Sequence, residues 1–393
     1  MQNDSRSETQ TSSVNFLIGG GEMGELVRSM DWSGTSLGPI DTWPPSLRTA
    51  VNIVLNSNFP ISLIWGPDHV QIYNDRLRPT YGNKHPESFG QDFTICWASA
   101  LPVVGEAFRG ALAGKSSYLE DQRIFPDRLG FLEEAFFTHS FSPIRDENGG
   151  IVGLFHPITE TTSKIVGQRR ARLLRDLATI GLGTQSLNEA MTLLARTIAD
   201  DPFDLPFAMF YALDESQTAA HLVAFTGLPS GGTASAEVVD LVGDTSKWPI
   251  AEVISSGKAA VLDDVDLRFP ELVGEPYPEP VVKARVLPIV PHARSSPVGV
   301  LVVGVSPRLP VDDVYATFLD MLQMTVNAVA ASALARMCAL LLAAGFQRVP
   351  GVRVTHAFQH LLDRFYHESR LVLVDVVSTL AGQPESPIRN QRG

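Results

Sequence analysis

The sequence predicts an α+β protein of two domains, each with a central antiparallel sheet flanked by helices, joined by a helical linker. The first observation is length, since 393 residues exceed one ordinary domain. The second is composition, since 44% apolar and 19% charged residues suit a chain that builds globular cores. The third is that hairpin-like strand pairs, separated by helical segments, recur in both halves of the chain.

The first predicted domain covers residues 28–162 and follows a disordered leader with a glycine-rich loop at residues 1–27. A helical pattern starts at Ser46, where apolar residues recur on one helix face. Two hairpins are predicted after it. ISLIW and VQIYN flank a Gly-Pro-Asp turn, and FFTHSFSPI and GIVGLFHPI flank turn-forming residues at 145–150.

A charged linker helix is predicted at residues 163–182, followed by a second domain at residues 183–336. Its predicted strands include LPFAMFYAL, AAHLVAFTG, KAAVLDD, ARVLPIV and VGVLVVGVS, and a long helix closes the domain. Residues 337–393 are interpreted as a divergent C-terminal tail, which a frameshift would explain.

The formal net charge of -12 argues against nucleic-acid partners and anionic membrane surfaces, because both would be repelled. Only two cysteines are present, so no disulfide framework or Cys-based zinc site is expected. The polar N-terminus lacks the apolar core of a signal peptide, and the apolar residues 328–346 fall short of a membrane span. These features predict a cytoplasmic protein that binds a small molecule or another protein.

Two motifs suggest binding chemistry, and a structural role is favoured for both. Residues 19–24 (GGGEMG) match the G-x-G-x-x-G pattern of dinucleotide sites, but Asp41 is in a Trp/Pro-rich loop and no βαβ units follow. His356 and His360 share a helix face, but a zinc peptidase would need a Glu beside the first His. No metal is therefore predicted. The sequence predicts neither the nucleophile elbow of hydrolases, in which a Ser lies between a strand and a helix, nor the Gly-x-x-x-x-Gly-Lys phosphate loop of P-loop enzymes.

Three stretches within residues 72–160 and just beyond carry a resemblance to PAS domains. Residues 72–75 (IYND) are similar to the strand end and Asn turn of the family, and residues 143–153 to its final hairpin. Glu160-Thr161-Thr162 takes the place of the family's Asp-x-Thr exit, with Glu replacing Asp. The resemblance implies that Asn74 forms a turn that caps the following helical segment. It also implies that Glu160 and Thr162 tie the sheet to the outgoing signalling helix.

The resemblance also argues against the usual chromophores and cofactors. Cys96 is in the order TICW, unlike the Asn-Cys-Arg-Phe motif of flavin photosensors, and residues 101–114 lack the His of haem-binding relatives. The predicted pocket is filled by core side chains or takes an unidentified small ligand.

Residues 170–336 resemble a GAF domain of the kind that follows such PAS modules, in stretches such as EPYPEPVVKARVLPIV and SPVGVLVVGVSPRLPVDD. Relatives that bind bilin attach it through a Cys, and none lies between Cys96 and Cys338, so a covalent bilin is not expected. This PAS–GAF order is found ahead of histidine kinases and serine phosphatases. After Arg336 the sequence shows neither a phosphoacceptor box nor an ATPase domain.

The predicted function is that of a sensory input module without catalytic machinery, acting on a kinase or response-regulator partner. One alternative is a truncated or degraded sensor histidine kinase, and another is a small-molecule binder without signalling output.

A parallel homodimer is also predicted. Apolar residues of the linker helix, Leu173 and Leu177 among them, form a stripe with charged borders, and a second stripe runs from Val314 to Val329. The alternative is that each stripe packs on its own domain.

Overall fold

The computed structural model describes residues 16–346 except 230, 244–245, 271, 273–274 and 293, and the side chains up to residue 340. The chain divides into two compact units at the bond between Gln168 and Arg169. The mixed class with two antiparallel sheets is confirmed. The predicted tail lies outside the described residues beyond Phe346, as do His356 and His360.

The first unit contains a five-stranded antiparallel sheet in the order β2-β1-β5-β4-β3. Its elements are α1 (Gly21–Ser29), α2 (Pro45–Asn56), β1 (Ile61–Trp65), β2 (Val70–Tyr73), α3 (Arg78–Tyr81), α4 (Phe93–Cys96), α5 (Leu101–Leu112), β3 (Ser117–Ile124), β4 (Ala135–Arg145) and β5 (Ile151–Glu160). Both predicted hairpins are confirmed, β1 with β2 and β4 with β5. Helices α3 to α5 lie between the hairpins in sequence, and α5 packs on β3, β4 and β5.

The segment before α2 differs from the prediction of a leader and loop that reach residue 27. Helix α1 begins at Gly21, and Met23 and Val27 are fully buried in the first core. The indoles of Trp32 and Trp43 meet edge to face with centroids 5.3 Å apart, and Trp32 Nε1 donates to the carbonyl of Val27. Burial of these large side chains makes residues 21–44 part of the folded unit.

The second unit contains a six-stranded antiparallel sheet in the order β8-β7-β6-β11-β10-β9. Its elements are α7 (Leu187–Ala199), β6 (Ala208–Leu213), β7 (Ala219–Thr226), β8 (Val238–Asp240), α8 (Ile250–Ser256), β9 (Ala260–Leu262), α9 (Val265–Arg268), β10 (Ala284–Ile289), β11 (Gly299–Gly304) and α10 (Asp313–Phe346). Alternate residues of the strands pack with Trp248 and Phe269 in a buried hydrophobic cluster. Helices α7 and α10 contact each other and pack on β6, β7 and β10.

Helix α6 (Thr162–Ile180) begins in the first unit and ends in the second, where the sequence predicts a linker helix. Helix α10 extends ten residues past the predicted domain end at 336. Within the described chain, Asp313–Leu340 is the one helical stretch long and apolar enough to cross a membrane by length and composition, and 39% of its most apolar segment is buried in the protein. Core helices of soluble proteins satisfy the same criteria, and α10 is held to β10 where Gln323 Nε2 donates to the carbonyl of Pro288.

Candidate functional site

A cavity of about 50 Å³ lies in the first unit between the sheet and helices α3 to α5. Its wall is apolar and aromatic apart from two histidines, one threonine and one tyrosine hydroxyl. The lining residues are Leu77, Thr80, Tyr81, Phe93, Trp97, Ala100, Val104, Ile124, Pro126, Phe137, His139, Phe141, His156 and Ile158. A largely apolar cavity with a few polar groups is the usual form of a small-molecule site.

The two histidines come from neighbouring strands and face the same interior. His139 lies between Phe137 and Phe141 at alternate positions of β4, so the period of two residues places all three on one face. His139 is 2% exposed and His156 on β5 is 5% exposed. His156 Nε2 is 3.3 Å from His139 Nδ1, and the His156 ring stacks on Phe141 with centroids 4.2 Å apart. The two imidazoles therefore form a hydrogen-bonded pair in an aromatic wall.

Burial keeps this pair uncharged. It lowers the pKa of His139 to about 4. Burial, with a smaller contribution from His139, lowers the pKa of His156 well below its usual value. Each ring also has one buried nitrogen without a hydrogen-bond partner, Nε2 of His139 and Nδ1 of His156. An unsatisfied buried polar atom costs roughly 1–3 kcal/mol, so a molecule that bonds these nitrogens would gain free energy on binding.

The predicted exit residues are bonded to each other and to the sheet at the start of α6. Thr162 Oγ1 donates to Glu160 Oε1 at 2.9 Å and accepts from the backbone nitrogen of Phe136 at 2.9 Å. The amide of Thr161 donates to the carbonyl of Phe136 at 2.7 Å. The first turn of α6 is thus fixed to the beginning of β4.

Arg128 is the partner of Glu160, the first of the predicted exit residues. Its guanidinium donates two hydrogen bonds to the Glu160 carboxylate, at 2.7 and 2.8 Å, and also bonds Glu133. Arg128 is 7% exposed, and it donates to the carbonyl of Thr80 at 3.1 Å. Burial opposes the charged form, but the hydrogen bonds to Glu160 and Glu133 raise the pKa of Arg128. The guanidinium therefore stays charged between two carboxylates.

Asn74 has a larger role than the predicted turn. Its Oδ1 accepts from the amides of Ile61 and Leu77, and its Nδ2 donates to the carbonyls of Val54, Ser57 and Phe59. Leu77, not Asn74, is the N-cap residue of α3. The bond to the Leu77 amide caps the turn that leads into α3, and the same side chain also joins the end of α2 and the start of β1.

The glycine motif at residues 19–24 holds a carboxylate of the protein itself. Asp75 accepts from the amides of Glu22 at 3.2 Å and Met23 at 2.8 Å, which are the free donors at the start of α1. A Cβ on Gly21, whose φ is +57°, would lie 1.8 Å from Asp75 Oδ2. The glycines permit this close approach, so the position that a phosphate takes in nucleotide folds belongs here to Asp75.

Leu173 and Leu177, the predicted dimer residues of the linker helix, are buried within the chain at 6% and 0% exposure. This part of α6 is anchored in the second unit by charge as well. Nε of Arg169 and of Arg170 donate to the two oxygens of Asp204 at 2.6 and 2.7 Å. The alternative that the stripe packs on its own domain is therefore correct for these leucines.

The sequence reasoning missed His139, His156 and Arg128. The alternation of FFTHSF and GLFHPI would have placed both histidines among inward apolar residues. Arg128 gave no local signal, because its partners lie 5 and 32 residues away along the chain. Among the described residues, no group of three or more His, Cys, Asp and Glu side chains could hold a metal ion.

No protein-family model and no curated protein matches the chain. Among solved structures, the GAF domain of an Acinetobacter phosphoenolpyruvate-protein phosphotransferase is similar at 22% identity and TM-score 0.32, over 42% of this chain and 95% of that one. A free methionine-R-sulfoxide reductase from Neisseria meningitidis is similar at 16% identity and TM-score 0.31, over 42% of this chain and 89% of that one. Residues 122 to 287 of a methyl-accepting chemotaxis protein are similar at 20% identity and TM-score 0.31, over 42% of this chain and 98% of that one. The chain thus resembles a solved GAF domain over about 42% of its length, at TM-scores that leave its activity undefined.

Proposed function

We propose that the chain is a sensory input module, a PAS-like unit followed by a GAF-like unit, that converts cavity occupancy into a change in helix α6. The sheet order β2-β1-β5-β4-β3, with its helices between β2 and β3, supports the PAS-like assignment of the first unit. The six-stranded antiparallel sheet with α7 and α10 packed on it supports the GAF-like assignment of the second.

The observation that carries this proposal is the position of Arg128 between the cavity and the exit. Pro126 and Thr80 line the cavity, and Arg128 is two residues from Pro126 and bonds the carbonyl of Thr80. The same guanidinium holds Glu160, the last residue of β5 before α6. A bound molecule that displaces Pro126 or Thr80 would therefore move the group that fixes the first turn of α6.

Helix α6 provides a route from this turn to the second unit. Its first turn is bonded to β4 through Thr162, and its middle is bonded to Asp204 through Arg169 and Arg170. A ligand that prefers one of two arrangements of the first turn would shift the population of states along the helix. The output is a partner protein, and a kinase or response regulator suits the order of the two units.

The route is tested by loosening the exit without touching the cavity. Glu160→Gln removes the charge that Arg128 holds while it keeps the side-chain size. We expect faster hydrogen–deuterium exchange at the first turn of α6 and also in α6 beyond Arg170, measured on the full chain. The matched control is Glu120→Gln on β3, an exposed glutamate whose loss should leave α6 exchange unchanged.

Exchange that rises only before Gln168 would overturn the proposed transmission, because the second unit would then not sense the exit. A separate assay addresses the enzyme alternative. Incubation of the full chain with labelled ATP should transfer no phosphate, and labelled protein would favour the truncated sensor kinase.

A further inference from the structure

We propose that the cavity takes an uncharged molecule of a few non-hydrogen atoms with a hydroxyl or primary amide, recognised by the His139–His156 pair. This inference rests on the proposed function, since it takes the cavity as the input site. It adds the chemical class of the ligand.

The hydrogen bond within the pair determines what the pair offers to a ligand. A neutral imidazole has one N–H and one bare nitrogen. If His156 Nε2 donates to His139 Nδ1, the outer atoms are an N–H at His139 Nε2 and a bare nitrogen at His156 Nδ1. If the bond runs the other way, the two outer atoms exchange roles. Either tautomer pair therefore leaves one donor and one acceptor, and both outer nitrogens are buried without a partner.

A ligand that matches this pair needs both a donor and an acceptor. Hydroxyl and primary amide groups have both, whereas ketones and nitriles only accept. The remaining wall is largely aliphatic and aromatic, so a charged group would lose its hydration without compensation. The ligand is therefore uncharged, with a small apolar body.

The cavity volume limits the size of that body. A cavity of roughly 150 Å³ accepts benzene, which has six carbons, whereas this cavity is about 50 Å³. The same proportion gives about two non-hydrogen atoms, so the ligand belongs among the smallest molecules that have both a donor and an acceptor, which have roughly two to four. Acetamide and ethanol are of this size, and acetone has the shape of acetamide but no donor.

The experiment titrates acetamide and acetone into the full chain labelled with ¹⁵N at histidine and follows the imidazole nitrogens. Acetamide should shift the His139 and His156 signals saturably, and acetone should bind about tenfold more weakly, the effect of one lost hydrogen bond of about 1.4 kcal/mol. In His139→Phe, acetamide binding should be lost while xenon, which reports the apolar cavity, still binds. His221→Phe, at an exposed position of β7, is the matched control and should bind acetamide normally.

His139→Gln is the second variant if His139→Phe does not fold, because it keeps a donor and an acceptor and should retain acetamide binding. Equal affinity for acetone and acetamide would overturn the inference. So would xenon binding without any shift on addition of acetamide, because the histidine pair would then bond only to water. Acetamide binding without a change in α6 exchange would uphold this inference and reject the proposed function. If Glu160→Gln raises exchange along α6 as expected but acetamide does not bind, the proposed function is upheld and this inference is rejected.

Discussion

At the scale of single residues, the first unit contains buried polar groups of two kinds. All polar atoms of the Asn74 amide group are bonded to backbone groups, so it stabilises the fold. The His139–His156 pair keeps two nitrogens without partners, so it costs stability. The first arrangement is typical of a structural polar residue, and the second agrees with the binding role that we propose for the histidine pair.

Replacement of Asn74 by Ala should lower the free energy of unfolding by about 3 kcal/mol, because five backbone groups, all buried or partly buried, each lose a hydrogen bond. Urea unfolding of the full chain, followed by a probe in the first unit, measures the change. Asn148→Ala, in the exposed turn between β4 and β5, should shift the midpoint by less than about 0.5 kcal/mol. Equal effects of the two substitutions would contradict the role of Asn74.

Stability should depend on pH through the histidine pair. The folded pKa of His139 is about 4 and the pKa of His156 lies well below the usual value of about 6.5, so below that pH the unfolded chain binds more protons. The free energy of unfolding should therefore fall as pH drops from about 6.5 through about 4, by up to roughly 1.4 kcal/mol per pH unit for each histidine.

Urea unfolding at a series of pH values measures this slope. His139→Phe should flatten it, and His221→Phe should not. A slope that is the same in His139→Phe and in the unsubstituted chain would show that this histidine does not titrate as its burial requires.

The sequence patterns predicted where important polar residues lie better than they predicted which groups those residues bond. Asn74 and the exit pair Glu160 and Thr162 were found by resemblance, but their bonds to Phe59, Arg128 and Phe136 depend on how distant segments meet. The histidine pair was within reach of the strand period alone. Its missing hydrogen bonds were not, because only the packed structure shows which atoms lack partners.

At the scale of elements, strand pairs were predictable because each hairpin carries its own turn residues. The packing partners of helix faces were less predictable, because a stripe of apolar residues does not indicate which surface it packs against. Phe318, Leu322, Val326 and Val329 of the predicted second stripe are buried within the chain, as are Leu173 and Leu177. Val314 of that stripe is 67% exposed.

Leu177→Ala should therefore destabilise the second unit by about 3 kcal/mol, the usual cost of a cavity at a fully buried leucine. It should leave the oligomeric mass of the folded protein unchanged. Thermal unfolding and light scattering measure the two quantities. Arg175→Ala, an exposed position of the same helix whose ion pair with Asp176 is at the surface, should change neither the stability nor the mass. A change of mass at wild-type stability would restore the dimer interpretation of this leucine.

At the scale of the whole molecule, we expect an association surface on the outer face of α10. Exposed or half-exposed positions recur there at alternating spacings of three and four, the pattern of a two-stranded coiled coil. They are Val314, Thr317, Met321, Met324, Ala328, Ala331 and Ala335. Met321 and Met324 are 51% and 66% exposed and Val314 is 67% exposed, so large apolar side chains recur along this face.

We therefore expect the predicted homodimer to form through this face and not through Leu173 and Leu177. Met321→Glu with Met324→Glu would place like charges opposite each other in a parallel pair, and the full chain should fall from dimer to monomer mass in light scattering. Both side chains point away from the buried face of α10, so thermal stability of the second unit should persist apart from the loss due to dissociation. Val242→Glu with Leu267→Glu adds the same charge at other exposed apolar positions of the second unit and should leave the mass unchanged. If both double variants keep the mass of the unsubstituted chain, this face of α10 does not hold the dimer together.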